Sequence, residues 1–426
     1  MKLPYLDVEF DKKGAVVDKA QLKAVDDLLA EKRPTDVLVL SHGWNSTHGD
    51  AKALYDRLVD SIVAVRPQVE GARDRTFVVV GVLWPSIQWA ADESSGAGAG
   101  FGDEREALEA EIAQRVENAA TRKKLLALVP RLEGSSAAQE EFLELLRSTL
   151  PRTSKGEDDA AFDALKTASP QEVIDAARSG GETDAAAPEL GGAAGIDPAG
   201  LAPLGDGELE GGGAGFFDSI VGAARNLVNV TTYYTMKERA GVVGTKGIAP
   251  LVDRIHQVAP NARLHLVGHS FGGRAVTAAA LATHAPISSL SLLQAAYSHF
   301  GMAKDWDGGG KNGLFTKVPA KVEGPIIATF TKNDKAVGLA YPIASRLAQQ
   351  IGVSLGDEND PYGGIGRNGA LKTPRSVSAT LLDVGGTYSL SGQDVWSLNG
   401  DAFITGHSDV TGRQVAYAVL TAVVGS

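Results

Sequence analysis

Six short runs of nearly unbroken apolar residues constrain the fold of this 426-residue chain more than any other feature. They are Asp36–Ser41 (DVLVLS), Thr76–Leu83 (TFVVVGVL), Arg263–Gly268 (RLHLVG), Leu290–Ala295, Pro325–Thr331 (PIIATFT) and Ser378–Val384. A strand with one wet face alternates apolar and polar residues. Strands that stay apolar need cover on both faces, which is the setting of a parallel sheet between helices. Helical patterns fall between the runs, at Lys19–Glu31, Ala51–Val65, Ile248–Val258, Gly273–Ala282, Ala340–Gln350 and Val410–Val424. This alternation predicts an α/β fold built on a mostly parallel, doubly wound sheet.

The pattern breaks between about Pro85 and Val243, a stretch long enough to be an insertion. Asp103 to Leu150 is charged and helical, with Phe142, Leu145, Leu146 and Leu150 at core spacing. Ser169-Pro170-Gln171-Glu172 spells a capping box with proline at the first helical position. Gly180 to Gly215 is rich in glycine, alanine and acids and holds no lysine or arginine. Such a segment buries too little to offset its ordering entropy and reads as a flexible linker. From Phe216 to Ala240 a helical pattern resumes, with Phe217, Ile220, Val221, Ala224, Leu227 and Val228 on one side.

Composition narrows the function. The net charge of −11 argues against non-specific attraction to nucleic acid or anionic membranes. The chain has no cysteine, so disulfides, thiolate nucleophiles and cysteine-bound metals are excluded. The amino terminus MKLPYLDVEF lacks the apolar run of a signal peptide, and no apolar stretch is long enough to span a bilayer. A cytoplasmic protein without a transmembrane segment is expected.

The sharpest motif is Leu264-His265-Leu266-Val267-Gly268-His269-Ser270-Phe271-Gly272-Gly273. It places G-x-S-x-G after an apolar strand and before an alanine-rich helix. A strand that turns this tightly into a helix leaves no room for β-carbons beside the serine, hence the glycines. The turn lifts the hydroxyl clear of the sheet and aims a helix N-terminus at the same point. After the first strong strand comes Ser41-His42-Gly43-Trp44-Asn45.

On these residues the chain resembles the α/β-hydrolase superfamily, in particular lipase- and esterase-like members with a His-Gly-Trp-Asn oxyanion loop. The resemblance covers Asp36–Trp84 and about Gly241 to the C-terminus, and leaves out the insertion. It implies a hydrolase core in two pieces, residues 1–84 and 244–426. The helical, partly flexible insertion of residues 85–243 would serve as a lid, with the linker at about 180–215.

The resemblance also implies roles. Ser270 is the nucleophile, and the Phe271 N–H with an N–H of Gly43 or Trp44 forms the oxyanion hole. The family order is serine, acid, histidine. Asp334 follows the strand PIIATFT and is preferred as the acid over Asp383, which follows SATLL. Three of the eight histidines follow Ser270. His284 closes the elbow helix and His299 follows the next strand, whereas His407 sits in a loop before the final helix, where the family keeps its base. Ser408 or Asp409 beside it would cap that helix.

Gly364-Ile365-Gly366-Arg367-Asn368-Gly369 spells G-x-G-x-x-G but follows a turn, not a strand, and reads as a loop. Gly308-Gly309-Gly310-Lys311-Asn312 lacks phosphate-loop spacing, and the histidines lack metal-ligand spacing. No cofactor and no metal is expected. The expected activity is hydrolysis of carboxylic esters, lipid acyl esters included, through an acyl-enzyme. Phe216, Phe217, Ile220 and Leu227 would line the mouth of the acyl site. A peptidase, thioesterase or acyltransferase would use the same triad, and a non-catalytic binding module would keep the same fold.

Overall fold

The computed structural model describes residues 2–86, 104–154, 156, 159–179, 219–334, 363–390, 392 and 394–426. Eight strands form one sheet: β1 (Tyr5–Glu9), β2 (Asp36–Ser41), β3 (Phe77–Leu83), β4 (Arg263–His269), β5 (Ser289–Leu293), β6 (Ile326–Phe330), β7 (Ser376–Thr380) and β8 (Val395–Asn399). Their order is β1-β3-β2-β4-β5-β6-β8-β7, and every pairing is parallel. All residues of β2 and β3 are buried, as their unbroken apolar sequence requires.

Helices cover both faces. On one side, helices Lys19–Lys32, Ala249–Val258 and Phe271–Ala282 pack over Val37, Val39 and Leu266. On the other, helices His48–Val65 and Arg413–Val424 pack over Leu38, Leu40 and Val79. The direction of winding reverses between β2 and β4, which pair with each other. From β2 the chain crosses to β3 on one side, and from β4 it crosses to β5 on the other. The carboxyl ends of two such strands open a crevice, the usual place for a ligand in an α/β sheet.

Several sequence expectations are corrected. Strands β1 and β8 went unread, and the run placed at Ser378–Val384 is a strand only over Ser376–Thr380. The strand at β5 stops at Leu293, because Gln294 takes a left-handed φ of 45°. Helix His48–Val65 starts three residues ahead of Ala51, where Thr47 and Asp50 form a capping box. The last helix begins at Arg413 after Gly412, so neither Ser408 nor Asp409 caps it. Ile365–Asn368, read as loop, forms one helical turn. The helix expected at Ala340–Gln350 lies outside the described residues.

Within the insertion, helices Glu104–Arg115, Ser136–Arg147 and Pro170–Ser179 pack on the long helix Ile220–Val243, Ala119–Leu128 packs on the first two, and Phe162 of Asp159–Thr167 meets Tyr234 of the long helix. The Ser169 and Glu172 pair forms the reciprocal cap read from the sequence, with Ser169 N–H donating to Glu172 at 2.8 Å and Glu172 N–H to Ser169 at 3.3 Å. Helix Ile220–Val243 passes through a π turn, Gly244–Ile248, into the core helix Ala249–Val258. Gly244 allows this approach: a β-carbon there would lie 2.3 Å from the Ala275 carbonyl oxygen of the elbow helix.

Candidate active site

Strand β4 ends at His269 and the next helix begins at Phe271, so Ser270 alone makes the turn. It does so with φ 56° and ψ −126°, a region costly for a side chain, on the order of 1–3 kcal/mol. The neighbours hold it there. Ser270 N–H donates to the Leu293 carbonyl at 3.1 Å, and Ala296 N–H donates to the Ser270 carbonyl at 3.0 Å. A β-carbon on Gly268 would lie 2.4 Å from the Gly272 oxygen, and one on Gly272 would lie 2.2 Å from the Ser41 oxygen. The two glycines let strand, helix and the end of β2 converge.

Three sequence-distant residues meet at this turn. His407 Nε2 lies 2.8 Å from Ser270 Oγ, and His407 Nδ1 lies 2.9 Å from Asp334 Oδ2. The carboxylate facing Nδ1 fixes the proton on that nitrogen and leaves the Nε2 lone pair towards the serine hydroxyl. Asp334 is fully buried, in the turn after β6. Its Oδ2 also accepts from Gln294 Nε2 at 3.1 Å. The Gln294 amide further donates to the Gly366 carbonyl at 2.6 Å, and its oxygen accepts from Thr329 Oγ1 at 2.8 Å. Gly366 closes over the acid, since a β-carbon there would come within 2.8 Å of Asp334 Oδ2.

The loop that carries His407 is tied at several points. Asp409 accepts from Thr405 N–H at 3.1 Å and Thr405 Oγ1 at 2.9 Å. Asn333 Nδ2 donates to the Ile404 carbonyl at 2.9 Å, and His269 Nε2 lies 2.9 Å from the His407 carbonyl. Asp401 shapes the facing turn by accepting from Thr331 Oγ1 at 2.8 Å and Lys332 N–H at 3.0 Å.

The segment after β2 is held from beneath by a buried imidazole. His42 Nε2 accepts from Trp84 N–H at 3.2 Å, so its Nδ1 carries the proton and donates to the Gly43 carbonyl at 2.9 Å. Burial pushes the His42 pKa down to about 4, which keeps the ring neutral. Its ring stacks on Trp84, with centroids 5.4 Å apart. Gly43 lies against the elbow: a β-carbon there would be 2.6 Å from Ser270 Cβ. Trp44 packs edge-on to Phe271 with centroids 6.1 Å apart, and Tyr233 of the long helix lies 5.4 Å from Phe271. Phe271 opens its helix, so its N–H has no intrahelical acceptor.

The other sequence candidates fall elsewhere. Asp383 is an exposed residue that accepts from Val384 N–H at 2.8 Å and Gln414 Nε2 at 2.9 Å. His284 is exposed and pairs with Asp253, while His299 is buried against Asn368. Leu227 is 2% exposed, within the apolar cluster that the insertion shares with one face of the sheet; Ile220 is half-buried at the start of its helix. Phe216 and Phe217 lie outside the described residues. Among the described residues no group of three or more acidic or histidine side chains is arranged to hold a metal ion.

His269, Gln294, Gly366 and Asp401 went unread as parts of this site. His269 stood inside the motif, but its partner is a backbone atom 138 residues away. Gly366 stood inside a glycine pattern read only against dinucleotide binding. No helix among the described residues is long and apolar enough to cross a membrane. In comparison with known proteins, the chain matches no protein-family model, no curated protein and no solved structure.

Proposed function

We propose that this chain is a serine hydrolase of the α/β-hydrolase kind that cleaves carboxylic esters through Ser270, His407 and Asp334. The supporting observation is the unbroken relay from Ser270 Oγ to His407 Nε2 at 2.8 Å and from His407 Nδ1 to Asp334 Oδ2 at 2.9 Å. In this reading His407 takes the hydroxyl proton as Ser270 Oγ bonds to the acyl carbon. The N–H of Phe271, with an N–H of the Gly43–Trp44 segment, holds the negative charge that develops on the carbonyl oxygen. His407 returns the proton to the departing alcohol. It then deprotonates a water that attacks the acyl-serine, releasing the acid and restoring the hydroxyl.

An acyl group of apolar character is favoured by the aromatic contacts of Trp44, Phe271 and Tyr233 beside the elbow. The test is labelling by a fluorophosphonate probe, with peptide mapping of the adduct, followed by esters of graded acyl length. The expected result is one adduct, on Ser270, and ester turnover that the probe abolishes. A folded protein that takes no label at Ser270 and turns over no ester would favour a non-catalytic binding module instead.

A further inference from the structure

We infer that His269 is a positioning residue for the base: its Nε2–H donates to the His407 carbonyl and holds that imidazole over Ser270. The inference rests on the proposed hydrolase reading and adds to it a residue outside the triad. His407 lies in the stretch between β8 and the last helix, which is neither helix nor strand. An imidazole on such a stretch needs fixed points close to the reacting atoms. His269 supplies one from the end of β4, the strand that also delivers Ser270, so nucleophile and base are referred to one rigid element.

The geometry is specific. His269 Nε2 lies 2.9 Å from the His407 carbonyl oxygen, and the two rings stand 5.0 Å apart at 43°. A carbonyl can only accept, so the ring proton is on Nε2. Behind the ring, a β-carbon on Gly43 would lie 3.2 Å from Nδ1, so the oxyanion segment closes the other side. Burial, and next the adjacent His407, hold the His269 pKa well below the usual histidine range. The ring is therefore a neutral donor. It adds no positive charge beside His407 at the moment when that imidazole becomes cationic.

A structural reading of the same residue is that it fills the end of the strand. Two substitutions separate the readings. His269→Phe keeps the ring volume and removes the donor. His269→Gln places an amide nitrogen near the Nε2 position and keeps one. Both are measured on the full chain by kcat, KM, the second-order rate of fluorophosphonate labelling and thermal unfolding. His269→Phe is expected to lower kcat and the labelling rate by about tenfold, the worth of one well-placed hydrogen bond, with KM within about twofold. His269→Gln should recover most of that loss. Wild-type rates in the Phe variant would overturn the positioning role. So would equal losses in both variants that track a fall in thermal stability. A wild type that takes no label on Ser270 would overturn the hydrolase reading itself, a result distinct from either.

Discussion

The substitution Gly43→Ala tests the proposed oxyanion role of the Gly43–Trp44 segment directly, because its effect can be worked from the structure. The added carbon would lie 2.6 Å from Ser270 Cβ and 3.2 Å from both Ser270 Oγ and His269 Nδ1. Carbon pairs sit comfortably at about 3.5–4.0 Å, so the separation must grow by about 1 Å. Ser270 has little room to yield, since Gly272 is already pressed against the main chain of Ser41 and His42. The Gly43–Trp44 segment must therefore move, and its N–H groups move with it. A shift of that size in a catalytic group costs about 10²-fold, comparable to removing one oxyanion donor. We expect kcat on a short ester to fall by about two orders of magnitude, with a smaller change in KM. The strain of overpacking should lower stability by about 1–3 kcal/mol, so the protein remains folded. Turnover within about threefold of the parent, with unchanged thermal unfolding, would refute the placement of this segment against Ser270 and its proposed oxyanion role.

Asp334→Asn should reduce kcat by about 10⁴-fold by leaving His407 in the wrong tautomer, whereas Asp383→Asn should leave it near normal; the reverse would move the acid to Asp383. Stability should fall as the pH drops from about 6.5 towards 4. The folded pKa of His42 is depressed to about 4, so the unfolded chain takes up that proton first and stability is complete only above the unfolded value. The shift is worth about 3 kcal/mol, His265 acts in the same direction, and equal urea-unfolding free energies at pH 7 and pH 4.5 would contradict it. Leu227→Ala should cost about 2–5 kcal/mol of stability and affect short and long acyl esters alike; a selective loss on long chains would return Leu227 to the substrate path.

How much of this was legible in sequence depended on whether a feature was local. Strand β2 could be read to the residue because DVLVLS is apolar throughout and buried on both faces. The tight turn from β4 through Ser270 into a helix could be read because its glycines, serine and flanking elements are contiguous. Strand β1 was not legible: YLDVE carries two acids at a sheet edge, where Lys52 pairs with Asp7 at 2.9 Å. Strand β8, VWSLN, is short, and the polar Ser397 is buried because its Oγ accepts from Ala370 N–H at 2.9 Å. Gln294 was hidden for a similar reason. All of its hydrogen-bond partners are distant in sequence, and a fully buried glutamine has no pattern of its own. Leu227 shows a limit of another kind. An apolar helical face shows that something covers it but not what, and here Leu227 is buried in the apolar cluster that the insertion shares with one face of the sheet.

A serine, a histidine and an aspartate also meet at a second place in the same sheet. At the amino ends of its strands, His265 Nδ1 lies 2.8 Å from Ser289 Oγ and its Nε2 lies 3.0 Å from Asp36 Oδ1. The distances match those around Ser270, yet the three side chains are sealed, at 0%, 1% and 0% exposure for His265, Ser289 and Asp36. Burial raises the pKa of Asp36, but hydrogen bonds from His265 and Thr35 and the charge of Arg75 outweigh it and hold the carboxylate below its ordinary range. The carboxylate is thus kept to anchor Arg75, 2.7 Å away, which reaches on to the carbonyls of Val423 and Val424 at 3.1 and 2.9 Å. This cluster ties the last helix to the base of the sheet. Ser289 opens an ordinary strand with no helix N-terminus at its hydroxyl, whereas Ser270 stands alone between strand and helix at positive φ. What distinguishes the two is position along the strands. At the carboxyl end of β4 the winding reverses, a helix begins and the Gly43 segment closes in, so the Ser270 hydroxyl meets the His407 imidazole beside a helix N-terminus, the arrangement that the proposed function uses.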